Sequence, residues 1–229
     1  NRITFSNRMA VPTGWSIDQR EIAIATDDGK KVITSFYATD GSGKSRPELQ
    51  VRAWSLDREW KRCVTLNFNA SDPFTIFDFD KEYSGQLREV LEINGALPAL
   101  SPDGTLVSFQ SGSGHIFCKR IADRESLWQI SRGDGGGQRS SWSADGSRLY
   151  YSSRYNDALY RVDVFREPAL RFGPPEKIID AKKIGLALER GWSVSADGKQ
   201  ILALPANRAE NPDDAISVIT NWYEEYRKK

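Results

Sequence analysis

The sequence predicts an all-β fold, a β-propeller of four-stranded antiparallel blades with five blades preferred, and three observations carry that expectation. First, the pattern apolar-Ser-x-Asp recurs as Trp15-Ser16-Ile17-Asp18, Trp54-Ser55-Leu56-Asp57, Leu100-Ser101-Pro102-Asp103, Trp142-Ser143-Ala144-Asp145 and Val194-Ser195-Ala196-Asp197. Counted through Asp18, Asp57, Asp103, Asp145 and Asp197, the steps are 39, 46, 42 and 52 residues, close to the length of one four-stranded blade. Second, each of the last three copies is followed by short β-branched or aromatic runs separated by turn residues. Third, helical periodicity is nearly absent, which with the repeat selects a radial β-architecture over a sandwich.

The elements follow in order. In the last three copies Gly104, Gly146 and Gly198 stand after the aspartate, where a tight hairpin turn needs a left-handed residue, and the aspartate caps the turn through nearby backbone. Second strands are expected at Leu106 to Phe109, Leu149 to Ser152 and Ile201 to Leu204. Third strands are expected at Ile116 to Arg120, at Leu159 to Val164 with its period of two, and at Ile216 to Asn221. Fourth strands are expected at Leu127 to Ile130 and Lys177 to Ile179. Gln19 and Arg58 hold the glycine position in the first two copies. A non-glycine there costs about 1 to 2 kcal/mol, so those turns are expected to differ, or the second copy is chance.

The whole chain, 1–229, reads as one propeller domain with units near 10–50, 51–95, 96–137, 138–188 and 189–229. Segment 1–8 is expected to close the last blade as its outer strand, since an open ring leaves unpaired edges. An alternative parsing makes Leu49 to Leu56 a third strand and Lys61 to Leu66 a fourth, giving fewer, longer-looped blades; six blades or an incomplete ring also stay open. The tryptophans of the pattern are expected to pack in the core between blades.

Composition narrows the function. Thirty-two Lys and Arg against 31 Asp and Glu leave a net charge of +1, without the excess that nucleic acid or an anionic membrane attracts, so neither partner is expected. Apolar runs such as Ile22 to Ala25 last about four residues, against roughly eighteen for a membrane-spanning helix. The start at Asn1, with no initiator Met and no signal-like segment, reads as processed or excised from a longer chain. Cys63 and Cys118 sit in strand-like runs and read as buried free thiols rather than a disulfide. His115 is the sole histidine, so no His-rich metal site can form and no cofactor or metal is expected; it reads as a strand entrance after Gly112-Ser113-Gly114.

The stretch Leu97-Pro98-Ala99-Leu100-Ser101-Pro102-Asp103-Gly104, followed by the apolar run Thr105 to Phe109, resembles the bacterial TolB-like propeller repeats. Leu127-Trp128-Gln129-Ile130-Ser131, Gly135-Gly136-Gly137, Trp142 to Gly146 and Leu149-Tyr150-Tyr151 are similar to propellers fused behind bacterial transmembrane Ser/Thr protein kinases. The closing Ile216 to Trp222 resembles the terminal strand of that group. Residues 97–229 carry the resemblance well and 1–96 loosely, and neither His-Arg-Asp nor Asp-Phe-Gly occurs in the chain. The resemblance implies a periplasmic or extracellular module, tethered or not by an upstream membrane segment, that senses or docks a partner. Six blades are usual in the group.

Chemistry-bearing groupings are few. Ala38 to Ser45 matches a permissive phosphate-binding loop, but the strand-like Leu49 to Ala53 follows where a helix is required, so a polar hairpin tip is expected. Gly133 to Gly137 reads as an inter-strand loop. Asp72, Asp78 and Asp80 raise the alternative of a propeller glycosidase, which works with paired carboxylates; the propeller cap of a peptidase is a further alternative. The preferred reading is a non-catalytic recognition or scaffold module. Loops of one propeller face would contact a protein partner or small ligand, with Trp60, Tyr83, Arg154, Tyr155 and Tyr223 as candidate contact residues.

Overall fold

The computed structural model describes residues 10–27, 32–66, 73–79, 87–133, 136–195, 197–206 and 217–220, and among them it contains strands and turns but no helix. The first sheet runs in the order β1 (Ala10–Trp15), β2 (Glu21–Asp27), β3 (Val32–Ala38), β4 (Lys44–Leu49). The second is β5 (Ala53–Leu56), β6 (Arg62–Leu66), β7 (Phe74–Asp78), β8 (Arg88–Ile93). The third is β9 (Ala96–Leu100), β10 (Leu106–Gln110), β11 (Ile116–Arg120), β12 (Trp128–Gln129). The fourth is β13 (Ser140–Trp142), β14 (Arg148–Ser152), β15 (Ala158–Phe165), whose outer neighbour is split into β16 (Arg171–Phe172) and β17 (Glu176–Asp180). The fifth shows β18 (Leu186–Val194), β19 (Gln200–Pro205) and β20 (Ser217–Thr220). These antiparallel meanders make a five-bladed β-propeller. The expected closing strand in 1–8 lies outside the described residues.

The serine turn recurs because one hydroxyl does two jobs. Ser101 Oγ donates to Asp103 Oδ1 at 2.6 Å and accepts the Leu106 N–H at 2.9 Å. The same pair of bonds appears at Ser16 with Asp18 and Glu21, at Ser143 with Asp145 and Arg148, and at Ser195 with Asp197 and Gln200. Each turn also closes with a backbone bond from the fourth residue to the serine carbonyl, as from Gly104 to Ser101 at 2.9 Å. Gln19 makes that bond to Ser16 at 3.0 Å with φ at 60°, so the first turn keeps the left-handed geometry of the glycine copies. The expected difference is absent there, because closure of the hairpin outweighs the backbone strain.

The second turn is a true repeat, but displaced by two residues. Asp57, not Ser55, bonds its N–H five residues ahead, to the Arg62 carbonyl at 3.1 Å, matching Ser16 to Glu21 and Ser101 to Leu106. Its Oδ1 accepts the N–H groups of Lys61 and Arg62 at 2.8 and 2.9 Å, and Trp60 takes the left-handed position at φ 57°. The fifth residue of the first four turns confirms the alignment. The carbonyls of Arg20, Lys61, Thr105 and Ser147 accept from Thr39, Phe79, Ile121 and Val164. Ser55 instead accepts the Leu100 N–H at 3.1 Å, linking β5 to β9.

By their contacts the residues group into two compact units, Asn1–Val107 with Lys119–Glu125, and Ser108–Cys118 with Ser126–Lys229. In the first, Ala23, Phe36 and Leu49 pack on Ala53, Leu56, Trp60, Cys63 and Phe79. There the turns are tied directly, Ile17 N–H to the Arg58 carbonyl and Arg58 N–H to the Pro102 carbonyl, both at 3.0 Å. In the second, Tyr150, Leu159, Ile178 and Ile179 pack on Leu186, Leu188, Trp192, Ile201 and Ala203. None of the three pattern tryptophans is in these cores, contrary to the expectation, and Trp142 is only half-buried. Trp15 is 49% exposed at the end of an edge strand, and Trp54 is 41% exposed because the β5–β6 register skips it between Ala53 and Ser55. Cys63 and Cys118 are buried free thiols, as the sequence indicated.

Candidate functional site

The best-defined loop cluster lies at the far end of β10 and β14 from the serine-aspartate turns, within the second unit. It begins with Ser153, which repeats the turn chemistry once more: its N–H bonds the Ala158 carbonyl at 2.8 Å and its Oγ accepts the N–H groups of Asp157 and Ala158. Asn156 is left-handed at φ 55°, which asparagine tolerates better than most side chains. Arg154 and Tyr155 therefore project from a hairpin whose backbone is fixed. Both are exposed, Tyr155 to 76%.

Three neighbours brace that hairpin. The Asn156 amide donates to Gln138 Oε1, and the Gln138 N–H reaches the Ser152 carbonyl at 3.0 Å. Gly137 N–H bonds the Gly114 carbonyl at 2.9 Å, while Gln110 Nε2 bonds the Gly137 carbonyl at 2.9 Å. The approach is so close that a Cβ on Gly136 would stand 2.3 Å from the Gly114 oxygen, so glycine is required there. The Arg154 guanidinium lies over Gly114, where an added Cβ would meet its Cζ at 3.2 Å. A rigid platform of glycine backbone thus carries one cation and one aromatic ring.

The other sequence candidates fall elsewhere. Trp60 is 3% exposed, its indole N–H bonded to Glu21 Oε2 at 3.0 Å and its ring edge-on to Phe36 at 5.2 Å; the two-residue displacement of its turn folds it into the core, so it is not a surface contact. Tyr83 and Tyr223 lie outside the described residues, as do Asp72 and Asp80. Asp78 is clamped by Arg62 Nε at 2.6 Å and Arg88 Nη2 at 2.7 Å. Burial pushes its pKa up, but the bonds and charges of the two arginines outweigh it and hold the carboxyl below its ordinary value. That is opposite to what a general acid needs.

His115 Nδ1 lies 3.1 Å from Ser131 Oγ, but Ser131 is fully buried and already accepts the Ile116 N–H at 2.9 Å. The pair braces β11 and presents no nucleophile. Among the described residues no group of three or more His, Cys, Asp or Glu is placed to hold a metal. The Thr39 to Gly43 segment joins antiparallel β3 and β4, which is a hairpin tip and not a phosphate cradle. No described helix is long and apolar enough to cross a membrane. Arg154 and Tyr155 are recognisable in the sequence, whereas the bracing role of the glycines and Gln138 is not; the spaced pair Ser153 and Asp157 is the available signal for a further serine turn.

Known structures share this backbone arrangement. TolB from Acinetobacter baumannii superposes with a TM-score of 0.68 at 14% identity, over 96% of this chain and 53% of that one. A TolB from Agrobacterium tumefaciens gives 0.62 at 14%, over 95% and 79%. The fold is TolB-like. This chain spans about half the length of the Acinetobacter protein. An oligogalacturonate lyase from Vibrio parahaemolyticus also matches, at 0.57 and 10% identity over 96% and 78%. Enzymes and TolB proteins thus share the architecture, and at such identities the likeness concerns the fold alone. No family model matches the sequence, and no curated protein matches it significantly.

Proposed function

We propose that this chain is a non-catalytic recognition module that works outside the cytoplasm and docks a protein partner through the Arg154 and Tyr155 end, as the sensor portion of a signalling protein or as a scaffold subunit. One observation carries the reading: an arginine and a tyrosine, residue types that anchor protein interfaces, stand exposed on a hairpin already ordered by its own hydrogen bonds. Contact there loses little backbone entropy, which favours affinity. The TolB-like fold supports the extracytoplasmic setting, and the arginine clamp on Asp78 speaks against a glycosidase.

The test is photo-crosslinking in cells of the source organism, with a benzophenone amino acid at position 155 and, as control, at Ser147 on the opposite end of β14. A discrete adduct from position 155 that is lost with Arg154→Ala is expected. Equal adducts from both ends, or none from 155, would reject the assignment.

A further inference from the structure

The β18–β19 ladder contains an irregularity that the recognition reading does not use. Ala187 pairs with Leu204 and Trp192 with Ala203, so Leu188, Glu189, Arg190 and Gly191 are looped out opposite no partner. Gly191 takes φ 118°, a backbone conformation closed to most side chains. Beside this bulge opens a cavity of about 270 Å³, lined by Arg139, Gly191, Trp192, Ser193 and the β19 residues Leu202 to Leu204. The Arg139 Nη1 comes within 3.7 Å of where a Gly191 Cβ would be.

The polar side chains among the lining residues are those of Arg139, Ser193 and Trp192. Among the described residues Arg139 has no side-chain ion pair and no carboxylate lines the cavity; the Trp192 indole, whose N–H is buried without an acceptor, packs in the core of the second unit. The remaining walls are apolar: Leu202 is 41% exposed, while Ala203 and Trp192 are nearly covered. One guanidinium with apolar walls matches one carboxylate on an apolar body, because the planar fork of arginine binds a carboxylate with two parallel bonds. A dianionic phosphate would want a second cation, which this lining lacks.

We propose that the Arg139 and Trp192 cavity is a binding site for a small monocarboxylate with an aromatic or branched apolar body. The proposal does not rest on the docking end at Tyr155. The test is titration of the whole chain by calorimetry and by saturation-transfer NMR, with phenylacetate as probe and phenylacetamide and inorganic phosphate as comparators. Phenylacetate is expected to bind with a Kd in the millimolar range or tighter, and both comparators about tenfold more weakly. Arg139→Gln is expected to weaken phenylacetate about tenfold and Arg139→Lys by less, with thermal melting unchanged. Leu202→Asp, which sets a like charge in an exposed wall, is expected to weaken it similarly if Arg139→Gln disturbs the fold. No phenylacetate binding, binding indifferent to both substitutions, or phosphate binding as tightly as phenylacetate would overturn the proposal.

Discussion

Asp57 occupies the place that serine holds in four other turns, and the exchange has a measurable consequence. Burial pushes its carboxyl above the ordinary 3.8, against the lowering effect of the Arg62 and Lys61 N–H bonds. A raised folded pKa contributes stability below the ordinary value that is lost as pH rises through the folded one. Asp57→Asn is therefore expected to melt higher than the parent at neutral pH, with the gain disappearing on acidification below the ordinary carboxyl pKa. Asp145 has the opposite sign. Burial raises it, but bonds from Ser143 and Ser147 outweigh burial and bring it to about 2. Its contribution is complete above 3.8 and falls away toward pH 2, and Asp18 and Asp197, lowered by Ser16 and Ser195, follow the same direction. Thermal melts of the parent and Asp145→Asn across that window check the sign: only the parent should lose this increment. At Gln19, held at φ 60°, replacement by Gly is expected to stabilise by up to about 1 kcal/mol in denaturant unfolding.

At the scale of the element, the serine turns were legible and their exact placement was not. The pattern around Ser101, Ser143 and Ser195 marks hairpins that the structure contains, because the hydroxyl bonds both the aspartate and the backbone five residues on. The letters Ser55 and Asp57 suggested the same frame in the second copy. The carboxylate can accept the same N–H that a hydroxyl accepts, so the hairpin formed two residues later and carried Trp60 inward. Nothing in a lone pattern separates those frames; the backbone bonds do. The energetic weight of the turn depends on burial. Ser101 is fully buried, so Ser101→Ala strands the Leu106 N–H and is expected to cost about 1 to 3 kcal/mol. The turn of Ser195 faces solvent, and Ser195→Ala is expected to cost less than about 1 kcal/mol in the same denaturant unfolding. Cys63 tells the same story of burial. Its thiol is pushed up to about 12 by burial and by the nearby Asp57 and Asp78 charges, so alkylation by iodoacetamide is expected only after unfolding.

For the whole molecule, one hairpin turn is reused from blade to blade, and within the second unit the exposed Arg154 and Tyr155 stand at the end of β14 opposite the Ser143 turn. Periodicity and turn residues made the propeller readable, because each blade repeats the same local solution. The candidate site was only half readable: Tyr155 follows from its place in a polar hairpin, whereas the brace formed by Gly114, Gly136 and Gln138 joins segments far apart in sequence. The Arg139 cavity depends on a bulge that no residue pattern announces. The division between the reused turn and the exposed hairpin is the central claim, and the most direct measurement reads melting temperature and position-155 crosslinking together for Arg154→Ala and Ser101→Ala. Arg154→Ala is expected to abolish the adduct at an unchanged melting temperature, and Ser101→Ala to lower melting by roughly 2 to 10 °C while folded protein still crosslinks. Arg154→Ala that destabilises the chain and leaves the adduct intact would contradict it.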